Sequence, residues 1–413
     1  MQADVIVLGA GIVGVSVAVH LALRGKAVVL VDRGAPGMGT SFGNAGLIQR
    51  EGVYPYAFPR DPLTVLRYAG NRTTDVHYHL TALPRLAPFL ARFWWHSAPA
   101  RHEAIAHAYA PLIAHSIAEH AHLIAQSGAE HLVRKNGWLL VFRTDAARDK
   151  AFAEAERLTT GFGVGHDALS GAALAGLEPH LRAGLAGAVH WRDPWSITDP
   201  GALVTAYAAL LENLGGHTAA GDASTLARNG HGWRVTTADG AVEAGDAVVA
   251  LGPWSDLVTR RLGYRLPLAV KRGYHMHYAA QGDAKLFHTV LDAEGGYLLA
   301  PMDNGIRLTT GIEFARRDAP PTPVQLARAE PKARSFFPLA ERLDAEPWMG
   351  MRPCTPDMMP LIGPAPRHER LWFAFGHAHH GLTLGPVTGR IIAEMIAGET
   401  PVLDPAPNRP GRF

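Results

Sequence analysis

The first thirty residues alternate between runs of apolar side chains and a helical pattern. Residues 5–8 are apolar and mostly β-branched, which predicts a buried strand. Apolar residues at helical spacing follow from 12 to 23, and Gly25 is expected to end that helix. A second apolar run at 27–31 predicts another buried strand, which ends at Asp32. The order strand, helix, strand predicts the beginning of a parallel sheet.

Farther along the chain, the same patterns predict helices separated by short strands. Residues 61–128 are mostly helical in their spacing, and 145–161 predict a further helix. Strands are predicted at 138–142, 233–237 and 246–251. Asp199 followed by Pro200 is typical of the N-cap and first position of a helix, which we expect to end at Gly215.

The last third of the chain predicts a second sheet and a C-terminal helix. Residues 271–278 alternate as a strand with one polar face, while 296–301 and 306–311 predict an antiparallel pair. We expect this sheet to lie outside the parallel core and to form a wall of the substrate site. A strand at 371–375 precedes a glycine-bounded loop at 376–383, and a helix is predicted at 386–396.

Composition narrows the class of protein. A length of 413 residues favours two domains, and 47% apolar with 18% charged residues is typical of a globular protein. A net charge of +2 argues against a nucleic-acid binder. The single cysteine, Cys354, excludes an intramolecular disulfide and a cysteine-based metal site. The first predicted strand leaves no room for a signal peptide, so we expect a cytoplasmic protein, with peripheral contact at the inner membrane face left open.

Three glycines between the first strand and the first helix form the pattern G-x-G-x-x-G. Gly9 permits a tight turn, Gly11 allows the backbone to approach a pyrophosphate, and Gly14 allows the helix to pack closely on the strand. The N-terminus of the helix offers free N–H groups to phosphates. Asp32, at the end of the second strand, can accept hydrogen bonds from a ribose diol. The sequence therefore predicts a dinucleotide site.

The chain contains many histidines, and none of them predicts a metal site. Those at 102, 107, 115, 120 and 122 do not converge with an acidic residue, so we expect solvated positions on helix faces. The run 377–380 also contains three histidines, and no acidic residue stands beside it.

Five segments together resemble the FAD-dependent D-amino-acid oxidase superfamily, which includes glycine oxidase and sarcosine oxidase. They are the glycine fingerprint, TSFGNAG at 40–46, VVALGPWS at 248–255, GMRPCTPD at 350–357 and the loop 376–383. Within that superfamily the chain is most like the D-amino-acid and D-hydroxyproline dehydrogenases. The resemblance implies an α/β, two-domain fold in which a Rossmann-like domain binds FAD and a mainly antiparallel sheet covers the substrate. The predicted FAD domain comprises 1–55, 145–262 and 352–413, and the substrate domain 56–144 and 263–351.

The resemblance also assigns residues to the site. Arg352 matches the arginine that holds the substrate carboxylate, and a guanidinium suits that role because it binds a carboxylate in a bidentate manner. Tyr297, Tyr274 and His275 are expected near the substrate, as is His379, where glycine-oxidase-like members have arginine. The residues expected to bind FAD are Gly9, Gly11, Ile12, Val13, Gly14, Asp32, Arg33, Thr40, Ser41, Asn44, Ala45, Gly46, Gly252, Trp254, Gly376, His377, His380, Gly381, Leu382 and Thr383.

We therefore expect an enzyme that oxidises a small amino acid at its α-carbon by hydride transfer to flavin N5. Trp195, Tyr274 and Tyr297 would suit a compact substrate such as D-proline or hydroxy-D-proline. The alternatives are oxidation of glycine, sarcosine or another N-substituted amino acid, a flavin-bearing electron-transfer subunit, and a nicotinamide dehydrogenase. The electron acceptor is a quinone of the respiratory chain or oxygen, and an oligomer is left open. The position of the flavin-linked cysteine of sarcosine oxidases falls near Gly350, not at Cys354, so we expect a non-covalent flavin.

Overall fold

A computed structural model describes residues 1–413, which form ten α-helices and twenty-one strands. The helices are α1 (Ile12–Ala22), α2 (Pro62–Ala69), α3 (Leu83–His96), α4 (Pro99–Ser127), α5 (Asp145–Phe162), α6 (Gly171–Leu177), α7 (Pro200–Asn213), α8 (Ser255–Arg261), α9 (Val324–Phe336) and α10 (Gly381–Ala397). The strands are β1 (Gln2–Leu8), β2 (Val28–Asp32), β3 (Leu47–Ile48), β4 (Val76–Tyr78), β5 (Val133–Arg134), β6 (Trp138–Phe142), β7 (His166–Ser170), β8 (Gly187–Trp191), β9 (Trp195–Ile197), β10 (His217–Asn229), β11 (Gly232–Thr237), β12 (Gly240–Val249), β13 (Ala269–Ala280), β14 (Thr289–Asp292), β15 (Tyr297–Met302), β16 (Gly305–Thr310), β17 (Ile312–Phe314), β18 (Leu339–Arg342), β19 (Trp348–Cys354), β20 (Leu361–Pro364) and β21 (Leu371–Phe375).

The first sheet has seven strands and a parallel centre. β1 pairs in parallel with β2 and β12, while β10 pairs with β2 and β21 pairs with β12 in the same sense. β11 and β20 add antiparallel pairs with β10, β12 and β21. The apolar runs predicted as buried strands are covered on both faces, as a parallel sheet requires. α1, α7 and α10 pack on one face.

The second sheet has eleven strands and is mostly antiparallel. Its order is β4-β17-β13-β16-β15-β14-β6-β8-β7, and β18 and β19 also pair with β13. The predicted antiparallel pair is present as β15 and β16, and α9 packs over them in a separate apolar core. Two sheets of these two kinds confirm the predicted fold class. A third, small sheet consists of β3, β9 and β5.

The two-domain division remains a prediction, and the membership of each strand in one or the other sheet can be compared with it. The strands of the first sheet lie in 1–55, 145–262 and 352–413, as expected for one domain. β7 and β8, however, lie in 145–262 and extend the second sheet, since β8 pairs with β6 and β7 pairs with β8. We therefore propose that 145–191 belongs with the substrate domain.

The C-terminal helix begins earlier than predicted, at Gly381 instead of Pro386, so Pro386 lies inside α10. Proline has no N–H to donate to the carbonyl oxygen four residues before it, which is that of Leu382. The Nε2 atom of His120, on α4, lies 2.8 Å from this oxygen and satisfies it. His120 is therefore buried, and its prediction as a solvated histidine was wrong. Its compensating role depends on a contact across 262 residues of sequence.

The packing of α1 on β1 leads to a test with Gly14→Ala. A Cβ atom at position 14 would lie 1.8 Å from the carbonyl oxygen of Gly9, so the helix would have to move away from the strand. We expect a loss of about 4 kcal/mol or more in the free energy of unfolding. In a thermal scan this corresponds to a fall of at least about 5 °C in Tm.

The matched control is Gly176→Ala in α6, where an added Cβ meets nothing within 4 Å. This change should raise stability slightly, by about 0.5 kcal/mol, since alanine favours helix more than glycine does. Equal Tm values for the two variants would contradict the close packing of α1.

Candidate active site

A cavity of about 1020 Å³ is lined by residues of both sheets. It begins at the turn between β1 and α1, passes the end of β2, and reaches the N-terminus of α10 and strands β13 and β19. Residues predicted to bind a cofactor and residues predicted to bind a substrate thus share one cavity. No other part of the chain was predicted to contain a site.

One end of the cavity has the geometry of a phosphate site. Gly9 has a φ of +107°, which a residue with a side chain rarely adopts, and its carbonyl lies against Gly14. The N–H of Ile12 donates to the Oγ of Ser41 at 3.0 Å. The N–H groups of Val13 and Gly14 have no acceptor in the protein. Unsatisfied donors at a helix N-terminus favour an anion.

Asp32 supports this turn and faces the same cavity. Its Oδ2 accepts the N–H of Ala10 at 2.7 Å, and its Oδ1 accepts the N–H of Gly34 at 3.1 Å. A carboxylate has about four acceptor positions, so further donors such as a ribose diol can still bind. Beside it, the guanidinium of Arg33 lies 5.2 Å from the ring of Trp254.

The other cofactor end is the N-terminus of α10. The N–H groups of Leu382 and Thr383 have no acceptor in the protein, and the helix dipole is positive here. Ala378, in the loop before α10, has a φ of +50°, an uncommon conformation for a residue with a side chain. Such backbone strain is typical of functional sites. Burial lowers the pKa of His377 to about 3, and its Nε2 lies 2.9 Å from the Oγ1 of Thr388.

Five predicted cofactor residues do not line the cavity, because each is held in packing behind it. Gly14 contacts Gly9, and Gly46 lies so close to Ile197 that a Cβ would be 2.2 Å from its carbonyl oxygen. The Oγ1 of Thr383 bonds the backbone of β3 and Gln49, and the Nδ1 of His380 bonds the hydroxyl of Tyr109 at 2.8 Å. Gly376 is the turn before the loop. The predicted cofactor residues that line the cavity are Gly9, Gly11, Ile12, Val13, Asp32, Arg33, Thr40, Ser41, Asn44, Ala45, Gly252, Trp254, His377, Gly381 and Leu382.

Arg352 lines the part of the cavity that β13 and β19 form. Its Nη1 donates to the carbonyl oxygen of Gly311 at 3.1 Å, and it crosses Gly273 so closely that a Cβ there would be 2.6 Å away. No carboxylate pairs with the guanidinium, and burial lowers its pKa. A half-buried guanidinium without an acidic partner is suited to bind a ligand carboxylate.

Tyr274 and Tyr297 contribute to the cavity wall, but their hydroxyls point to the far side of the second sheet. The hydroxyl of Tyr274 donates to Glu313 at 2.8 Å, and the ring of Tyr297 packs edge-on against Phe336. Successive side chains of a strand alternate between faces, and these tyrosines lie on the face opposite Arg352. Trp195 does not line the cavity. Of the three aromatic residues that suggested a compact substrate, two thus contribute to the cavity wall with their hydroxyls turned away, and the third lies outside it.

The two predicted substrate histidines differ in position. His275 does not line the cavity, since its ring stacks on Trp348 with 4.9 Å between centroids. Burial lowers its pKa to about 2. His379 does line the cavity, where its ring lies 4.4 Å from that of Tyr56. Burial, His380 and Arg352 hold the pKa of His379 well below its usual value, so it is neutral near pH 7.

Comparison with known proteins identifies the chain's family. Residues 4–395 match the family described as FAD dependent oxidoreductase. The chain belongs to that family. Its cofactor is FAD, and it is an amino-acid dehydrogenase or oxidase by the names of its relatives.

Two curated relatives and one solved structure cover nearly the whole chain. The D-amino-acid oxidase of Bradyrhizobium diazoefficiens is 29% identical over 99% of this chain and 98% of its own length. The D-amino acid dehydrogenase of Chromohalobacter salexigens is 30% identical over 97% of each. The structure of glycine oxidase from Geobacillus kaustophilus has a TM-score of 0.74 at 21% identity and covers 100% of this chain and 99% of that one, which shows a shared fold.

The residues present fit FAD. Free amides at the N-terminus of α1 suit its pyrophosphate, and Asp32 suits a ribose. The free amides of α10 lie along the same cavity and suit the electron-rich end of the flavin. Both helix termini line one continuous space, which is what an elongated dinucleotide needs.

Sequence reasoning missed Lys271, Tyr56 and Trp348, which all line the cavity. The alternation of β13 was a usable signal for the first of these. Lys271 and Gly273 lie on the polar face of that strand, which is the face toward the cavity, whereas Tyr274 lies on the other. Tyr56 and Trp348 had no such signal, because they come from separate segments that meet only in the fold.

Proposed function

We propose that the chain oxidises an amino acid at its α-carbon and that Arg352 holds the α-carboxylate of the substrate. The observation that carries the proposal is the position of Arg352, half-buried at the cavity and without an acidic partner. Charge balance favours an anionic ligand there, since an unpaired buried charge is costly. The names of the relatives support an amino acid as that ligand.

The chemistry of the proposed reaction divides between cofactor and protein. FAD, when bound, would supply the acceptor for the α-hydrogen as a hydride. Arg352 fixes the carboxylate and so orients the α-carbon. A second cation, Lys271, lines the same cavity and disfavours a substrate ammonium, so the amine binds neutral. The amides of Leu382 and Thr383 favour negative charge at the N-terminus of α10.

The proposed substrates are D-amino acids, following the names of the relatives at about 30% identity. D-Proline and hydroxy-D-proline are compact representatives and belong in the test. Glycine, sarcosine and other N-substituted amino acids are the alternatives. The flavin is proposed to be non-covalent, so acid precipitation should release it into the supernatant.

The reaction is tested by anaerobic titration of the purified yellow protein. D-Proline, cis-4-hydroxy-D-proline, D-alanine, D-glutamate, glycine and sarcosine are added singly while flavin absorbance is followed. We expect at least one D-amino acid to bleach the flavin, because substrate oxidation reduces it. A protein that no amino acid bleaches, but that dithionite does, would contradict an amino-acid oxidation and favour an electron-transfer subunit.

Arg352→Met should lower kcat/KM by about a hundredfold to several thousandfold, equivalent to about 3–5 kcal/mol. Methionine keeps part of the side-chain volume and removes the bidentate carboxylate contact. Arg234→Met, at an exposed position on β11, is the control and should leave kcat/KM unchanged. Steady-state kinetics with the best D-amino acid give the ratio. Equal values for the two variants would rule out the carboxylate role.

A membrane contact is proposed from an apolar patch that we call the α2–α3 patch. It consists of Leu63, Leu66, Leu80, Trp94 and Trp95, which are 76%, 71%, 72%, 45% and 52% exposed. α2 has no buried residue, yet Val65 and Tyr68 of this helix line the cavity. Two arginines lie over the tryptophan rings. Tryptophan, leucine and arginine together favour the interface of an anionic membrane.

Such a contact would bring the cavity to a lipid-soluble quinone, which we propose as the electron acceptor. No helix has the length and apolarity needed to span a bilayer, so the contact would be peripheral.

Vesicle flotation tests the α2–α3 patch. We expect the holoenzyme to float with vesicles of phosphatidylethanolamine and phosphatidylglycerol, and Leu63→Ser/Leu66→Ser to float less by about tenfold, because apolar burial is lost. Leu257→Ser/Leu343→Ser removes two leucines of 49% and 50% exposure elsewhere and should float like the wild type. Wild-type protein that stays at the bottom of the gradient would contradict the membrane contact.

A further inference from the structure

Two cations of the cavity stand directly opposite each other in the second sheet. The Cα register of β13 and β19 pairs Lys271 with Arg352. Residues paired in this way project from the same face of an antiparallel sheet, and both line the cavity. Like charges at opposed positions destabilise a sheet. Burial and the neighbouring Arg352 lower the pKa of Lys271, and a compensating negative charge would favour its protonated form.

The protein does not supply that charge. Lys271 is 4% exposed, and its Nζ lies 4.1 Å from the ring centroid of Phe93 and 3.7 Å from the Sδ of Met358. The only titratable groups that perturb it are Cys354 and Arg352. Neither the lysine nor Arg352 takes part in an ion pair with an acidic residue.

Two other cations of low exposure have acidic partners, whereas the buried Arg307 is held by His277 and by the carbonyl oxygens of Phe42 and Asn44. Arg272, on the opposite face of β13, has its Nε 2.6 Å from Glu313, and Arg412 has its Nε 2.8 Å from Asp357. Lys271 has neither kind of partner, because the only hydrogen-bond contact of its ammonium is the Sδ of Met358, and this marks the Lys271–Arg352 pair as a site for an anion from outside the chain.

The two cationic groups point to different parts of the cavity. The guanidinium of Arg352 extends along the strand over Gly273 to the carbonyl oxygen of Gly311. The ammonium of Lys271 lies instead among Phe93, Met358 and Phe314. The hydrogen bonds and ring contacts of the two groups involve different residues, although Cys354 and His379 lie within electrostatic range of both. One carboxylate at Arg352 therefore leaves Lys271 without a counter-charge.

We propose that Lys271 binds a second carboxylate and that the preferred substrates are dicarboxylic amino acids. The α-carboxylate would occupy Arg352, and the second carboxylate, on the side chain or on an N-substituent, would pair with Lys271. This proposal rests on the proposed function, since it assigns Arg352 to the α-carboxylate. The preferred substrates would then be acidic amino acids and not compact neutral ones such as D-proline.

Binding of non-reactive acids tests the pair independently of catalysis. Glutarate and pentanoate have the same chain length and differ by one carboxylate. Each is titrated into the FAD-loaded holoenzyme, and Kd is read from the change in flavin absorbance. We expect glutarate to bind at least about tenfold more tightly than pentanoate. Lys271→Met should remove that difference, Lys271→Arg should retain most of it, and Lys332→Met, at an exposed position of α9, should not affect it.

Kinetics then connect the pair to substrate choice. In the wild type, kcat/KM for D-glutamate should exceed that for the isosteric D-glutamine by at least about tenfold, and Lys271→Met should bring the ratio near one. Equal binding of glutarate and pentanoate, or a higher kcat/KM for D-proline or D-glutamine, would overturn the dicarboxylate proposal while leaving the proposed function intact. Failure of every amino acid to bleach the flavin, with glutarate still preferred, would overturn the proposed function and leave the anion pair standing.

Discussion

The close packing of α1 against β1 and α10 is the constraint on which the site depends. Gly14 brings α1 onto the turn at Gly9, and two glycines of α10 bring the second helix onto the first. A Cβ at Gly385 would lie 2.8 Å from Ile12, and one at Gly389 would lie 2.6 Å from Ser16. These glycines are four residues apart and so share one face of α10. Because the helices touch at backbone distance, both N-termini open into the same cavity, where their free amides can serve one ligand.

Electrostatics of the cavity follow from what surrounds it. The N-termini of α1 and α10 line it, and Lys271 and Arg352 add two cations on one face of the second sheet. His379, which also faces the cavity, is neutral because burial and the neighbouring Arg352 oppose its protonation. The protein thus concentrates positive potential where it places no acid of its own against Arg352 or Lys271. An environment of this kind selects anionic ligands before any specific contact is made.

The parts of the fold that were predicted correctly are those determined by local sequence. The fingerprint from Gly9 to Gly14 and the strand–helix–strand order around it need only neighbouring residues, and so does the N-cap of Asp199 on Ala202. The start of α10 was misplaced because Pro386 normally marks a helix beginning. Its accommodation depends on His120, a residue far away in sequence. Non-local compensation of this kind leaves no local pattern.

The substrate side shows the same limit more sharply. Alternation along β13 predicted a strand and a polar face, but the face toward the cavity depends on where β19 and the first sheet lie. Tyr274 is a familiar type of substrate-binding residue, yet its hydroxyl belongs to the buried Arg272–Glu313 group on the far face. Residues an odd number of positions apart lie on opposite faces of a strand. Lys271, and not Tyr274, therefore has its side chain on the cavity face of β13. Glycine at 273 completes the arrangement, since any side chain there would displace the guanidinium of Arg352. Which side chains of β13 face the cavity is therefore set by register, which only the assembled sheet determines.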